Sequence, residues 1–551
     1  MKQLQIGSLK FELKKILLPI LYFTICLLAT LNILTLFYKI IFLVYAFAIY
    51  FFVFQVVLKG KFSFEKYKRT ENSKKKFYIA LIILAIIIFS VIHVLPFIHH
   101  GDAALGYDTG FYLKYFDKDV FPSKDAFTVS ASPFYYLGLS SQTAFYFTLA
   151  LGQFLILASV YFLIRSTSIF SSFKIACVAI FLLSVSAIQF YSFWWAIGQQ
   201  IMATGFLIIT IALLLKRSWL MLLTAALTMF LHTSTFLVLA LTFILYFTIY
   251  LTWSLIKKQK VDKKLILFIV LGLIVCAFVF YFQYDKISGQ FEFLVQYKGL
   301  LKNVPDWNMA KATGFFIDIN SFRSITIYLM PWVVIGIYIS LLWQRENRKK
   351  SLMDNHFYLI FSTLCLFLTI TVLPIIYQSR NIVYLNIFMI IFASIAMFVV
   401  VEYLIKEKTG KILLLILLLI FAGRIAYASW TKQPLITENE LNEIKSIENI
   451  ANENAVIMAT NSSYAPWLFG FSNQQYIISP GYLRDTWGLE KWIQFWYGSS
   501  DETRYDMLLK RAKNLYIFMG AMENTYAPYY QYISTDDHFI QISDHVWKFQ
   551  P

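Results

Sequence analysis

Apolar runs of about twenty residues, each closed by a short basic or polar stretch, recur through the first 430 residues of the chain. A hydrocarbon core of roughly 30 Å takes about 20 helical residues to cross, so each run has the length of a membrane span. Thirteen runs are present, at 16–37, 40–58, 78–98, 142–164, 175–194, 199–215, 219–231, 234–256, 265–284, 325–343, 356–376, 382–404 and 411–429. No small-residue cleavage site follows the first, so it is expected to be a retained helix and not a signal peptide. The pattern predicts a polytopic α-helical membrane protein with about 13 transmembrane helices over residues 1–430.

At Thr431-Lys432-Gln433-Pro434 the long apolar runs stop. Thr437 with Glu440 forms a capping box, and Leu441, Ile444, Ile447 and Ile450 recur on one face of the helix that follows. Short β-rich stretches at 455–459, 476–479 and 515–519, a helix from Asp501 to Lys513, and a closing pair at 539–542 and 546–549 complete the pattern. Residues 431–551 are therefore expected to form a small α/β domain, with no Gly-rich phosphate loop in it.

Charge orients the picture. The chain carries a formal net charge of +17. Residues 431–551 hold 9 Lys+Arg against 14 Asp+Glu, a net of −5, which leaves +22 on the membrane part. Those positive charges fall in short loops, at Lys10 to Lys15, Lys59 to Lys76, Lys216-Arg217, Lys257 to Lys264, Arg345 to Lys350 and Lys406 to Lys411. Thirteen crossings put every one of them on one side, the cytoplasmic side by the positive-inside rule. The N-terminus is then cytoplasmic. The loops 99–141 and 285–322, the turn at Arg380 and the C-terminal domain are extracytoplasmic. A nucleic-acid partner is excluded by this distribution. The four cysteines all lie inside apolar runs without paired spacing, which leaves neither a disulfide nor a thiolate metal site.

Candidate chemistry gathers on the side away from the lysines. Gly101-Asp102 and Gly106-Tyr107-Asp108-Thr109-Gly110-Phe111-Tyr112 follow directly on the third apolar run. Asp108 precedes Tyr112 by four residues, so a helix would set both on one face at the membrane surface. Partial desolvation there raises a carboxylate pKa and suits it to accept a proton. Asp108 is the first choice for that base and Asp102 the alternative; otherwise both merely solvate the loop or cap its helix. Arg380, in a short external turn, reads as a phosphate contact or as a snorkelling arginine. His232 breaks two apolar segments, and Gln199-Gln200 follow Trp194-Trp195, where amides suit sugar hydroxyls and tryptophans suit the interface. The loop 285–322 adds Asp285, Trp307, Asp318 and the flanking Arg323. In the tail Trp467, Trp487, Trp492 and Trp496 serve either a core or a sugar-stacking cover over the site. His99-His100 beside Asp102 leaves a divalent cation open; no cofactor is otherwise called for.

The acidic loop after an early span, in the form Gly106-Tyr107-Asp108-Thr109-Gly110-Phe111-Tyr112, resembles that of the GT-C superfamily of membrane glycosyltransferases. The resemblance extends to many helices, a broken segment in mid-chain, an arginine opening a late helix and an extracytoplasmic α/β tail. It implies transfer of a sugar from a polyprenyl-phosphate or polyprenyl-diphosphate donor to a glycan, lipid or protein acceptor. On that resemblance Asp108 matches the catalytic position, with Asp102 the alternative, and Arg380 a lipid-phosphate contact; the residues themselves add Arg323 as a second candidate for the phosphate and Tyr112, His232, Gln199, Gln200 and Trp487 as candidate substrate contacts. One departure stands out: two apolar runs precede the one that leads into the acidic loop, where the family usually has one. Two other classes fit a many-helix chain. A flippase or transporter of lipid-linked sugars should carry mid-span ionisable groups and two pseudo-symmetric halves. An O-antigen-type polymerase usually relies on a large late external loop, whereas here the acidic run comes early.

Overall fold

The computed structural model describes residues 75–551, apart from 102–105, 107, 117–125, 257–260, 285–287, 289–326, 347–359, 361–362, 368–377, 405–406, 480–486, 498–499, 521–531 and scattered shorter gaps. The first two apolar runs, most of the run at 356–376, and the candidates Asp102 and Arg323 lie outside the described residues.

Helix α1 (Lys75–His100) leads into two short helices, α2 (Thr109–Phe116) and α3 (Ala126–Tyr136), and the bundle continues with α4 (Ser141–Ser166). Next come α5 (Ser172–Ser184) and α6 (Ala187–Trp194), α7 (Gly198–Leu215), α8 (Leu220–Leu231), α9 (Thr233–Ile256) and α10 (Lys263–Phe282). Then follow α11 (Met330–Glu346), α12 (Gln378–Val399) and α13 (Glu407–Trp430). Among the described residues seven helices are long and apolar enough to cross a membrane, or eight when the bent pair α5 and α6 counts as one span. Leu220–Leu231 and Met330–Trp343 are shorter apolar helices. The chain is thus a multi-pass membrane protein.

Burial sorts these helices into inner and outer positions. The span Arg380–Glu402 is wholly buried, whereas only about a third of α1 and α10 is covered, at 33% of each span. Ile79, Ile83, Ile87, Val94 and Ile98 of α1 stay exposed, as expected of side chains that face lipid. α5 and α6 meet at a 49° bend. Ser186 caps α6 there by accepting from the Gln189 N–H, and Asn386 of α12 donates to the Ser186 hydroxyl at 2.8 Å. Backbone groups freed by the break are met by side chains, which is how a broken helix survives at membrane depth.

Beyond α13 the chain builds a five-stranded sheet with β1 (Val456–Ala459), β2 (Tyr476–Ile478), β3 (Leu515–Phe518), β4 (Phe539–Gln541) and β5 (Val546–Phe549), in the order β2-β1-β3-β5-β4. β2, β1 and β3 are parallel, and β5 and β4 close the sheet antiparallel. Side chains alternate between two cores, as the pleat demands. Ile457, Ala459, Tyr516 and Phe518 pack with α14 (Glu438–Ile450) and α15 (Ala465–Phe471), while Met458, Leu515 and Ile517 pack with α16 (Leu489–Tyr497) and α17 (Asp501–Arg511). The capping box opens α14: the Thr437 N–H donates to the Glu440 carboxylate and the Glu440 N–H to the Thr437 hydroxyl. Glu440 is buried and also accepts from the Tyr464 hydroxyl at 2.6 Å.

Candidate active site

Two glycines explain how Asp108 is presented. The Gly106 N–H donates to the Trp194 carbonyl at 2.7 Å, and a Cβ at Gly106 would stand 2.7 Å from that same oxygen. Only glycine permits so close an approach. On the other side, a Cβ at Gly110 would collide with the backbone of Pro466 in α15, and one at Gly470 with the backbone of Gly110. The Asp108 N–H reaches the Trp195 carbonyl at 3.4 Å, and the Asp108 carbonyl accepts from the Tyr112 N–H, opening α2. The Asp108 loop is therefore wedged between the turn that follows α6 and a helix of the tail. That turn is itself unusual, since Ala196 adopts φ 57°.

Asp108 is half-buried, and burial pushes its carboxyl up to about 6, with the nearby positive charge of Arg380 opposing the rise. A carboxylate with such a pKa is ionised at neutral pH and still basic enough to take a proton in a transition state. Arg380 lies in the first turn of α12. Its carbonyl accepts from the Gln200 amide at 2.7 Å, which ties the start of α12 to the start of α7. Tyr384, one turn further along α12, bonds the Thr235 hydroxyl at 2.5 Å, and Thr235 in turn bonds His232 Nδ1 at 2.7 Å. The Thr235 N–H also donates to His232 Nδ1 at 3.2 Å, so this nitrogen is the unprotonated one. Gln200 and Thr204 also bond the Tyr384 hydroxyl. One network thus runs from His232 to the helix start that carries Arg380.

The sequence candidates separate accordingly. Asp108, Arg380, Gln200 and His232 lie at one end of the bundle, around the starts of α2, α7, α9 and α12. Gln199 belongs to them through its backbone, whose N–H donates to the Tyr112 hydroxyl at 3.4 Å. Tyr112 differs from its expected substrate contact: it is buried, its ring stacked on Phe145 and tilted against Phe127. Helical spacing set Tyr112 four residues from Asp108, and packing on α3 and α4 turns its ring inward. Trp487 is buried as well, edge to face with Trp492 at 4.9 Å in the sheet's second core. The structure groups it with core residues and not with Asp108. Among the described residues no three His, Cys, Asp or Glu side chains converge in the way a metal ion requires. His99 stacks flat on Trp430 and bonds its carbonyl at 3.2 Å.

Tyr384 and Thr204 were not among the sequence candidates, since they look like ordinary polar interruptions of apolar runs, and Thr235 entered only as part of the polar break at His232. A polar residue one turn after Arg380 on the same helix face was the available signal.

No family model matches the sequence, and no curated protein matches it either. Solved structures do resemble its fold. The archaeal oligosaccharyltransferase AglB from Archaeoglobus fulgidus, in complex with an inhibitory peptide and a dolichol-phosphate, superposes with a TM-score of 0.56 at 11% identity, over 86% of this chain and 71% of that one. The same A. fulgidus oligosaccharyltransferase in its apo form gives 0.57 at 12% identity, over 84% and 71%. ArnT from Cupriavidus metallidurans in the apo state gives 0.47 at 12% identity, over 86% and 98%. The chain therefore shares the fold of the A. fulgidus oligosaccharyltransferase structures.

Proposed function

We propose that this chain is an integral-membrane glycosyltransferase that moves a sugar from a polyprenyl-phosphate or polyprenyl-diphosphate donor to an extracytoplasmic glycan, lipid or protein acceptor, with inversion. One observation carries the reading: a half-buried carboxylate, Asp108, with its pKa raised to about 6, faces an arginine at the same end of a GT-C-fold bundle. Asp108 accepts the proton of the acceptor hydroxyl as its oxygen attacks the anomeric carbon. The bond from that carbon to the phosphate oxygen breaks, and the phosphate keeps the electron pair. Arg380 compensates the charge that develops there. Residues 431–551 act as an extracytoplasmic α/β domain that holds the acidic loop, and the basic loops put the N-terminus in the cytoplasm.

The test is transfer of a labelled sugar from a synthetic polyprenyl-phosphate donor by the purified protein. Movement of intact lipid-linked sugar across reconstituted vesicles without any transfer would replace the reading by a flippase. Arg380→Ala should lower transfer at limiting donor by about tenfold or more, because a charge-assisted phosphate contact is lost. An unchanged dependence on donor concentration would remove Arg380 from the donor site.

The pH profile offers a second check. Below about pH 6 Asp108 is protonated and cannot accept a proton, so transfer should rise with pH through about 6 and level off above it. The same raised pKa has the opposite sign for stability. The folded state holds the proton more tightly than the unfolded chain, so this contribution is lost as pH rises from 3.8 through about 6. An activity limb that stays at the ordinary carboxylate pKa would show that Asp108 is not the titrating base.

A further inference from the structure

The hydrogen bonds between His232 and the Arg380 carbonyl have a single direction, set at the imidazole. The Thr235 N–H donates to His232 Nδ1 at 3.2 Å. A ring nitrogen that accepts carries no hydrogen, so the Thr235 hydroxyl, 2.7 Å from the same nitrogen, must donate to it as well. That uses the only side-chain hydrogen of Thr235. The Tyr384 hydroxyl, 2.5 Å from Thr235 Oγ1, is therefore the donor in that contact. Its oxygen is left as an acceptor, and Gln200 meets it with an amide N–H. The other amide N–H goes to the Arg380 carbonyl at 2.7 Å. Each link fixes the next, from the imidazole to the first turn of α12.

Packing alone does not account for this orientation. Thr235, Tyr384 and Gln200 are all buried. A network that served only to fill the bundle would satisfy its members, because a buried polar atom without a partner costs stability. Here the Gln200 amide turns its nitrogen to Arg380, and its Oε1 is buried with no hydrogen-bond partner among the described residues. Exchanging the two amide atoms would set one carbonyl against another at Arg380. Some stability is given up to hold the Arg380 backbone, which is the usual mark of geometry that serves a site. His232 is the end that selects the direction. It stands between α8 and α9, and its ring nitrogen takes the place of an N-cap oxygen, accepting from the N–H three residues on.

We propose that His232 is a positioning residue: through Thr235, Tyr384 and Gln200 it fixes where α12 begins, and so where the Arg380 guanidinium stands. In this role it touches none of the reacting atoms. The inference rests on the reading of Arg380 as the donor-phosphate contact and adds the residue that sets that contact in place.

The experiment is a double-mutant cycle on the full-length protein, with the KM for a synthetic polyprenyl-phosphate sugar read separately from kcat. Tyr384→Phe removes one hydroxyl and keeps the ring, and it should raise that KM about fivefold with kcat little changed. His232→Leu should do the same. The two together should do no more than either alone, because they break one chain of bonds. His232→Asn should return the KM nearly to wild type, since an amide oxygen caps α9 and accepts from Thr235 as the imidazole does. A variant that merely lost the cap would leave less active protein, which lowers the apparent kcat and spares KM; that pattern in His232→Leu would overturn the positioning role. Effects that multiply would overturn it too, as would a KM that both single variants leave unchanged while Arg380→Ala raises it, and the transferase reading would then stand. No transfer by the wild type, or a KM that Arg380→Ala does not move, would remove the reading on which the inference rests. Should His232→Leu fail to fold, Tyr384→Phe decides alone, because an unchanged KM there overturns the chain at its middle link.

Discussion

Asp108→Asn should lower sugar transfer by about 10²-fold or more while donor binding persists, because the amide keeps the size and hydrogen-bonding reach of the carboxylate and loses only its ability to take a proton. The surroundings make this a clean substitution. Asp108 is held by its backbone, through the Trp195 carbonyl and the first turn of α2, so the loop does not depend on the charge. Removing a carboxylate whose pKa is raised by burial also relieves a desolvation cost, so the variant should fold at least as well at neutral pH. The measurement is transfer from a polyprenyl-phosphate sugar at matched protein, alongside donor binding. Asp102→Asn is the comparison and should be the milder change. Wild-type transfer by Asp108→Asn with loss in Asp102→Asn would move the base to Asp102, and normal transfer by both would remove the mechanism.

Much of this architecture was legible in the sequence, for identifiable reasons. Short β-rich stretches and the capping box at Thr437 depend on local backbone chemistry, so the stretches read as strands at 455–459, 476–479, 515–519, 539–542 and 546–549 reappear as β1 to β5. Apolar length likewise marks the spans, and the pair Trp194-Trp195 marks a real turn, reached by the bend between α5 and α6. What local pattern cannot carry is direction. Tyr112 shares a helix with Asp108, yet the ring belongs to the packing on Phe145. Trp487 has the aromatic face a sugar would want, and the sheet's second core claims it. Long-range pairs were equally hidden: Gln200 with the Arg380 carbonyl spans 180 residues, and Thr235 with Tyr384 spans 149.

The glycines of the acidic loop supply the other large effect. Gly110 and Gly470 cross backbone to backbone, so α2 and α15 approach as closely as two helices can. Gly110→Ala puts a methyl group into the Pro466 carbonyl, and a peptide carbonyl cannot swing aside as a side-chain tip can. α2 and α15 must then separate, carrying Asp108 with them. A displacement of about 1 Å at a reacting group costs roughly 10²-fold in rate. Gly110→Ala and Gly470→Ala should therefore each lower transfer on that scale while leaving donor binding nearly intact, and limited proteolysis should find the tail more open. Gly423 provides the control. Nothing lies within 4 Å of a Cβ there, so Gly423→Ala should be silent or slightly stabilising in its helix. Wild-type transfer and protease resistance in Gly110→Ala would show that the tail does not position the carboxylate. Loss in Gly110→Ala that is restored by deleting residues 435–551 would mean that the tail obstructs the loop and does not support it.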